Sequence, residues 1–277
     1  MERRNRLDFI SWIRLSGKGG TILFCLFLIP AALFASQADV LAELIRGGKE
    51  LPASFFLIFV QDGMQTDTMK FLLPLLCALP YAFRFGEDLR CGVIRLILVR
   101  SSRQAYLRRT IVYGAIAGGL LVLAGMLLSI GISFPVLFLI HNAHNSQPWL
   151  PGEWTTVLPA LIRTGLLYFS SGCLWTAVGM LCSVFSASLP AACLSPFIAY
   201  YLLIILYERY FSYREIFYSE IFYSEIFYGE ILYPKAWIQP GESWPLGGWS
   251  AGIWALELAV LISFLFLRAA ERRLSRV

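Results

Sequence analysis

The sequence is short of charge. Asp, Glu, Lys and Arg together make up 15% of its 277 residues, while 58% are hydrophobic and the mean hydropathy is +0.66. Soluble domains carry nearer ~25% charge and ~45–50% apolar residues. The deficit excludes a soluble enzyme, a nucleic-acid binder and a disordered chain. Metal and disulfide chemistry are scarce as well. There are two histidines and six cysteines, with no CxxC and no Cys/His ligand spacing. Cys25, Cys77, Cys173, Cys182 and Cys193 fall in apolar runs and Cys91 in a basic segment, so no disulfide framework is expected. His141 and His144 lack a neighbouring carboxylate and read as part of a plain loop, HNAHNSQPWLPG, at a helix end. Nucleotide chemistry is missing too. SGKGG at 16–20 and RGGKEL at 46–51 hold glycine and lysine without the GxxxxGK[ST] spacing of a phosphate loop. No HExxH, GxSxG or GxGxxG stands in a credible context.

What is there is a series of long apolar runs. A bilayer core of ~30 Å takes ~20 apolar residues per helix. Spans are therefore expected at about 20–38, 64–86, 110–138, 160–185, 190–207 and 249–268. The fold class is an all-α polytopic membrane protein with six transmembrane helices. The second span is the weakest, because only 71–83 is free of charge and Arg84 must snorkel at its end. The stretch SASLP at 186–190 divides an apolar run long enough for spans four and five.

Lys and Arg placement gives the orientation. Under this topology 16 of the 23 basic residues lie in the N-terminal segment, in 84–109 and in the C-terminal segment, all on one face. Twelve of the 18 acidic residues lie in or near the opposite loops. Both termini are expected in the cytoplasm, and the protein in an inner or plasma membrane. The charged N-terminal stretch is too long, and the following run too complete, for a cleavable signal peptide. Residues 1–18 alternate charge with Leu7, Phe9, Ile10, Trp12, Ile13 and Leu15, which suits an amphipathic helix in the inner interface.

Three connecting segments are informative. The first outer loop, 39–63, carries SFFLIFV at 54–60, too short to span and expected to pack on the bundle. The cytoplasmic segment 87–104 places Val93, Ile94, Ile97 and Leu98 at helical spacing among Arg90, Arg95 and Arg100. It reads as a short amphipathic helix, with Ser101-Ser102 as a stop and an N-cap for the next span. The outer loop 208–248 repeats Glu-Ile-Phe-Tyr at 215–218, 220–223 and 225–228, then Glu-Ile-Leu-Tyr at 230–233. A period of five fits neither a helix stripe nor one strand face. It reads as a duplicated stretch with its aromatics at the membrane surface.

Two ionisable residues fall at membrane depth, Glu257 in the last span and Arg163 in the outer third of the fourth. Such groups cost ~2.5–3.5 kcal/mol or more on insertion scales and normally face a partner or a wet cavity. A Glu257–Arg163 pair across the bundle is the candidate arrangement.

With these features the chain resembles the permease subunit of a type-2 ABC transporter. The likeness covers nearly the whole chain: the six-span topology, the basic amphipathic start, the very short turn at 186–190, and the segment after span two. There the matching residues are Glu87, Asp88, Gly92, Ile94, Arg95, Leu96, Ile97, Leu98, Ser102, Arg103 and Tyr106. The proline usual before the Ser-Arg is absent, replaced by Val99-Arg100-Ser101. The resemblance implies that 87–104 is a coupling segment contacting a separate ATPase subunit. Glu87, Asp88, Gly92, Ile94, Arg95, Leu98 and Arg103 would be the partner-coupling residues. It implies two ATPase subunits that bind Mg-ATP, a second permease copy giving a homodimer or heterodimer, surrounding membrane lipids, and no cofactor or catalytic residue in this chain. The expected activity is export of an amphipathic molecule, peptide or drug. Two other readings are a membrane sensor or immunity protein binding a ligand through its outer loops, and an integral membrane enzyme. The second lacks paired polar catalytic residues at matched depth.

Overall fold

The structure is a computed structural model that describes residues 19–47, 55–82, 84–100, 102–144, 154–186, 188–210 and 248–275. The expected interfacial helix at 1–18 and the five-residue repeat lie outside the described residues. The described chain is helical throughout: α1 (Gly19–Ser36), α2 (Ala38–Gly47), α3 (Phe55–Met64), α4 (Asp67–Ala78), α5 (Arg84–Arg90), α6 (Val93–Arg100), α7 (Arg103–His144), α8 (Trp154–Phe185), α9 (Leu189–Tyr210) and α10 (Gly248–Leu274). Five segments are long and apolar enough to cross a membrane: Gly19–Ser36, Arg103–Ala143, Leu158–Phe185, Pro190–Arg209 and Ser250–Leu274. The protein is a multi-pass membrane protein, helical throughout its described residues.

The expected continuous span at 64–86 is not formed. The chain there breaks into α3 and α4 at Gln65 and Thr66, and α4 ends before Pro80. Thr66 caps α4 with an extended backbone, φ −62° and ψ 151°, and its hydroxyl donates to the Gly63 carbonyl at 2.7 Å. At 12 residues α4 is only about 18 Å long, short of the ~30 Å bilayer core. A helix end inside a bundle leaves carbonyls without partners, which is costly away from water. Here the Tyr81 N–H turns to the Ala78 carbonyl, and the released Cys77 carbonyl accepts the Thr176 hydroxyl of α8 at 3.0 Å. Gly63 lies against Leu33 and Gln37 at one end of α1, while Ala78 and Ala82 lie against Gly179 near the opposite end of α8. The segment SFFLIFV packs as expected. Phe56, Leu57, Phe59 and Val60 of α3 are buried, with Phe56 edge-on to Phe134 at 5.6 Å and Phe59 beside Phe34 at 5.7 Å.

The most buried long helix is α8, flanked by α7, α10, α9 and α4. Small residues set the distances. A side chain at Gly172 would stand 2.8 Å from the Gly118 carbonyl and 2.9 Å from the Gly119 Cα, so α7 and α8 touch backbone to backbone. On α10 the buried face is Ala251, Gly252, Ala255 and Ala259. Trp175, Tyr168 and Tyr200 fill the centre, with Trp175 and Tyr200 edge to face at 5.5 Å.

Two helices outrun their hydropathy. The run at 110–138 is part of a 42-residue helix, α7. It begins at Arg103 and carries the HNAH stretch, which the sequence suggested was a loop, as helix through His144. α10 likewise continues to Leu274. Between α8 and α9 the turn is three residues, 186–188, where the Ser186 and Ser188 hydroxyls meet at 3.0 Å.

Candidate functional site

One end of the bundle gathers the basic residues of α5, the start of α7 and the end of α10: Arg84, Arg90, Arg103, Arg108, Arg109, Arg268, Arg272 and Arg273. This basic end has its own apolar cluster, separate from the main core. Phe85 of α5, Ile94 of α6, Leu107 and Ile111 of α7, Met180 and Val184 of α8, and Phe266, Ala270 and Leu274 of α10 are buried together. Phe85 meets Phe266 edge to face at 5.5 Å. The short helices α5 and α6 are thereby bolted to three long ones. Neither is long enough to persist alone, because isolated helices under ~12–15 residues are marginal in water.

Local chemistry shapes the segment. Gly92 holds φ +69° in the turn between α5 and α6, a left-handed conformation that side-chain-bearing residues rarely adopt. The Tyr106 hydroxyl donates to the Asp88 carboxylate at 2.6 Å and ties α5 to the first turns of α7. The Thr110 hydroxyl donates in turn to the Tyr106 carbonyl at 2.9 Å. Ser102 is the expected cap of α7: its hydroxyl oxygen accepts the Ala105 N–H at 3.3 Å.

The result is a helix with apolar groups on two sides. Ile94 is 3% exposed and anchors α6 to the cluster. Leu96 and Val99 are 71% and 86% exposed and point away from it. Arg90 and Arg103 are exposed nearby in the chain. Of the other expected coupling residues, Glu87 is half-buried on α5, Gly92 forms the turn, and Arg95 and Leu98 lie on α6 with side chains outside the described set. The sequence pattern placed Val93, Ile94, Ile97 and Leu98 on one apolar face. It missed the outward ridge of Leu96 and Val99, although both are visible as apolar residues among arginines.

The two intramembrane charges are not brought together. α8 and α10 run parallel, and a Cβ at Gly252 would stand 3.5–3.6 Å from Leu166, Leu167 and Ser170. From that level Arg163 lies about one turn toward the far end and Glu257 more than one turn toward the basic end. Their axial separation is about 14 Å at 1.5 Å per residue, too far for an ion pair. Both side chains are exposed on the bundle surface, and among the described residues neither makes an ion pair. Glu257 shares its outward face with Ile253, Val260, Leu261 and Phe264.

No protein-family model, curated protein or solved structure matches this chain.

Proposed function

We propose that this chain is the permease subunit of an ATP-binding cassette exporter, with α5–α6 as the coupling element for a separate ATPase subunit. The observation that carries the reading is the exposed ridge of Leu96 and Val99 on a helix anchored by Ile94 at the basic end. Exposed apolar groups side by side on an otherwise fixed element suit a partner's apolar groove. The surrounding arginines suit an acidic groove on the partner.

In this proposal the basic end faces the cytoplasm. The stretch 63–82, α4 with the residues on either side of it, supplies the sixth crossing, since Gly63 lies at the level of Leu33 and Ala78 and Ala82 at that of Gly179. Two such chains and two ATPase subunits make the working unit. Mg-ATP is bound and hydrolysed by the partner, so this chain is a transport subunit and not an enzyme. Closure of the ATPase dimer moves α6, and the cluster of Phe85, Ile94, Leu107 and Phe266 carries that movement into α7, α8 and α10. ATP biases the spans only to the extent that the partner engages the two states differently. The cargo is an amphipathic molecule, peptide or drug.

The test is co-purification from membranes. Tagged full-length chain is expected to bring down an ATP-binding cassette ATPase, identified by mass spectrometry. The double change Leu96→Glu and Val99→Glu should weaken that capture about thirtyfold, the scale of a lost interface hot spot. Capture of no such ATPase by the unaltered chain, or undiminished capture and export by the double variant, overturns the reading.

A further inference from the structure

Toward the far end of the bundle, α7 and α8 diverge from their backbone contact at Gly118 and Gly172, and a groove of about 360 Å³ opens between them. Leu123, Met126 and Leu127 form one wall, and Ile162, Leu166 and Phe169 the other. Gly165 leaves the floor without a side chain, its nearest neighbours being Leu123 and Met126 at 3.2 and 3.8 Å from where a Cβ would stand. Leu127 and Ile162 are about half exposed, so the groove opens sideways onto the surface that meets the bilayer. Its size is in the range that holds a small ligand, and its wall offers no polar group for a water-soluble one.

Arg163 stands on the flank of this groove. It precedes the lining residue Leu166 by three positions, so the two stand side by side on the surface of α8. It is exposed and, among the described residues, has no ion-pair or hydrogen-bond partner. A cation with no partner among the described residues is stabilised at this depth by an anion within reach of its long side chain. α7 and α8 contain no Asp or Glu, so the chain provides none on either wall. A phosphate matches the planar fork of arginine.

We propose that this groove is a binding site for one anionic phospholipid in the leaflet away from the basic end. The acyl chain lies along Leu127, Ile162 and Phe169 over Gly165, and the headgroup phosphate pairs with Arg163. A phospholipid joins an apolar chain to a phosphate, the two groups that the groove and the arginine call for. The positive charge of Arg163, without a partner among the described residues, favours an anionic headgroup over a zwitterionic one, which brings its own cation. The site does not depend on the transport reading.

Native mass spectrometry of the full-length chain in detergent, with added phosphatidylglycerol or phosphatidylcholine of matched acyl chains, tests it. The first phosphatidylglycerol adduct is expected to be favoured about fivefold, the worth of one arginine at a membrane surface. Arg163→Gln should abolish that preference while phosphatidylcholine retention persists. Gly165→Leu should fill the groove and reduce adducts of both lipids, whereas Gly131→Leu, on a lipid-facing part of α7 with open space around it, should leave both unchanged. Excess inorganic phosphate should not displace the lipid. Retention of the wild-type preference by Arg163→Gln, or displacement by phosphate, overturns the proposal. So do unchanged adducts in a folded Gly165→Leu protein. If Gly165→Leu fails to fold, the arginine substitution decides alone.

Discussion

Replacing Ile94 by alanine tests the residue that, among the described ones, buries α6 in the cluster at the basic end. Ile94 is 3% exposed within a cluster built from five helices, and it is the buried residue of α6 in that cluster. It lies at the basic end, so its packing is against water and the hydrophobic transfer term applies. Removing three side-chain carbons from such a site costs ~2–5 kcal/mol. An eight-residue helix has no independent stability to absorb that loss. The expected result is therefore local: α6 opens more often, while the main core, which is a separate cluster, holds. At the lower bound of ~2 kcal/mol, amide exchange across residues 93–100 accelerates about thirtyfold. Hydrogen–deuterium exchange with peptide-level mass spectrometry reads this directly. Val99→Ala, at a position 86% exposed, is the control and should change protection by less than ~0.5 kcal/mol. Equal acceleration from both substitutions, or none from Ile94→Ala, would refute the anchoring role.

Tyr106→Phe removes the donor to Asp88 and should destabilise α5 by about 1.5–3 kcal/mol, the range for a hydrogen bond to a charged group. Exchange across 84–90 checks it, and protection equal to wild type sinks it. Gly172→Val drives a side chain into the Gly118 carbonyl and should abolish recovery of monodisperse protein, whereas Gly131→Ala should leave it intact; size-exclusion profiles decide. Glu257→Leu removes a carboxyl from an apolar surface at membrane depth. The thermal midpoint in lipid nanodiscs should rise, given a cost of ~2.5 kcal/mol or more for a charge there. A fall would mean that Glu257 serves a contact outside the described residues.

Much of the helical layout is legible because hydropathy reports on local composition. Apolar runs near 20–38, 160–185 and 190–207 became α1, α8 and α9 with ends shifted by a few residues. The ends were less legible for α7 and α10. Hydropathy changes at the membrane surface, but backbone hydrogen bonding does not, so both helices run on into polar sequence. The break in 64–86 was hidden for another reason. Pro74 sits inside α4 without stopping it. The end before Pro80 depends on whether a neighbour can satisfy the freed Cys77 carbonyl, and that neighbour is Thr176, 99 residues away in sequence; at Gln65-Thr66 the Thr66 hydroxyl does so locally, on the Gly63 carbonyl. The Ser102 cap was readable because capping is local.

The sequence by itself determined that this is a helical membrane protein with charge segregated along it, because burying a helix in a bilayer is a demand each segment meets on its own. It also marked 87–104 as an amphipathic element among arginines. Only the tertiary structure decided which of that element's apolar residues are spent on the bundle. Ile94 is, because Phe85, Leu107 and Phe266 converge on it; Leu96 and Val99 are not. The same holds for the intramembrane charges. Hydropathy shows that Arg163 and Glu257 are at membrane depth, but their separation follows from the register of two parallel helices, which Gly252 sets against Leu166 and Ser170. Depth is a property of one segment, whereas facing and register belong to pairs of segments.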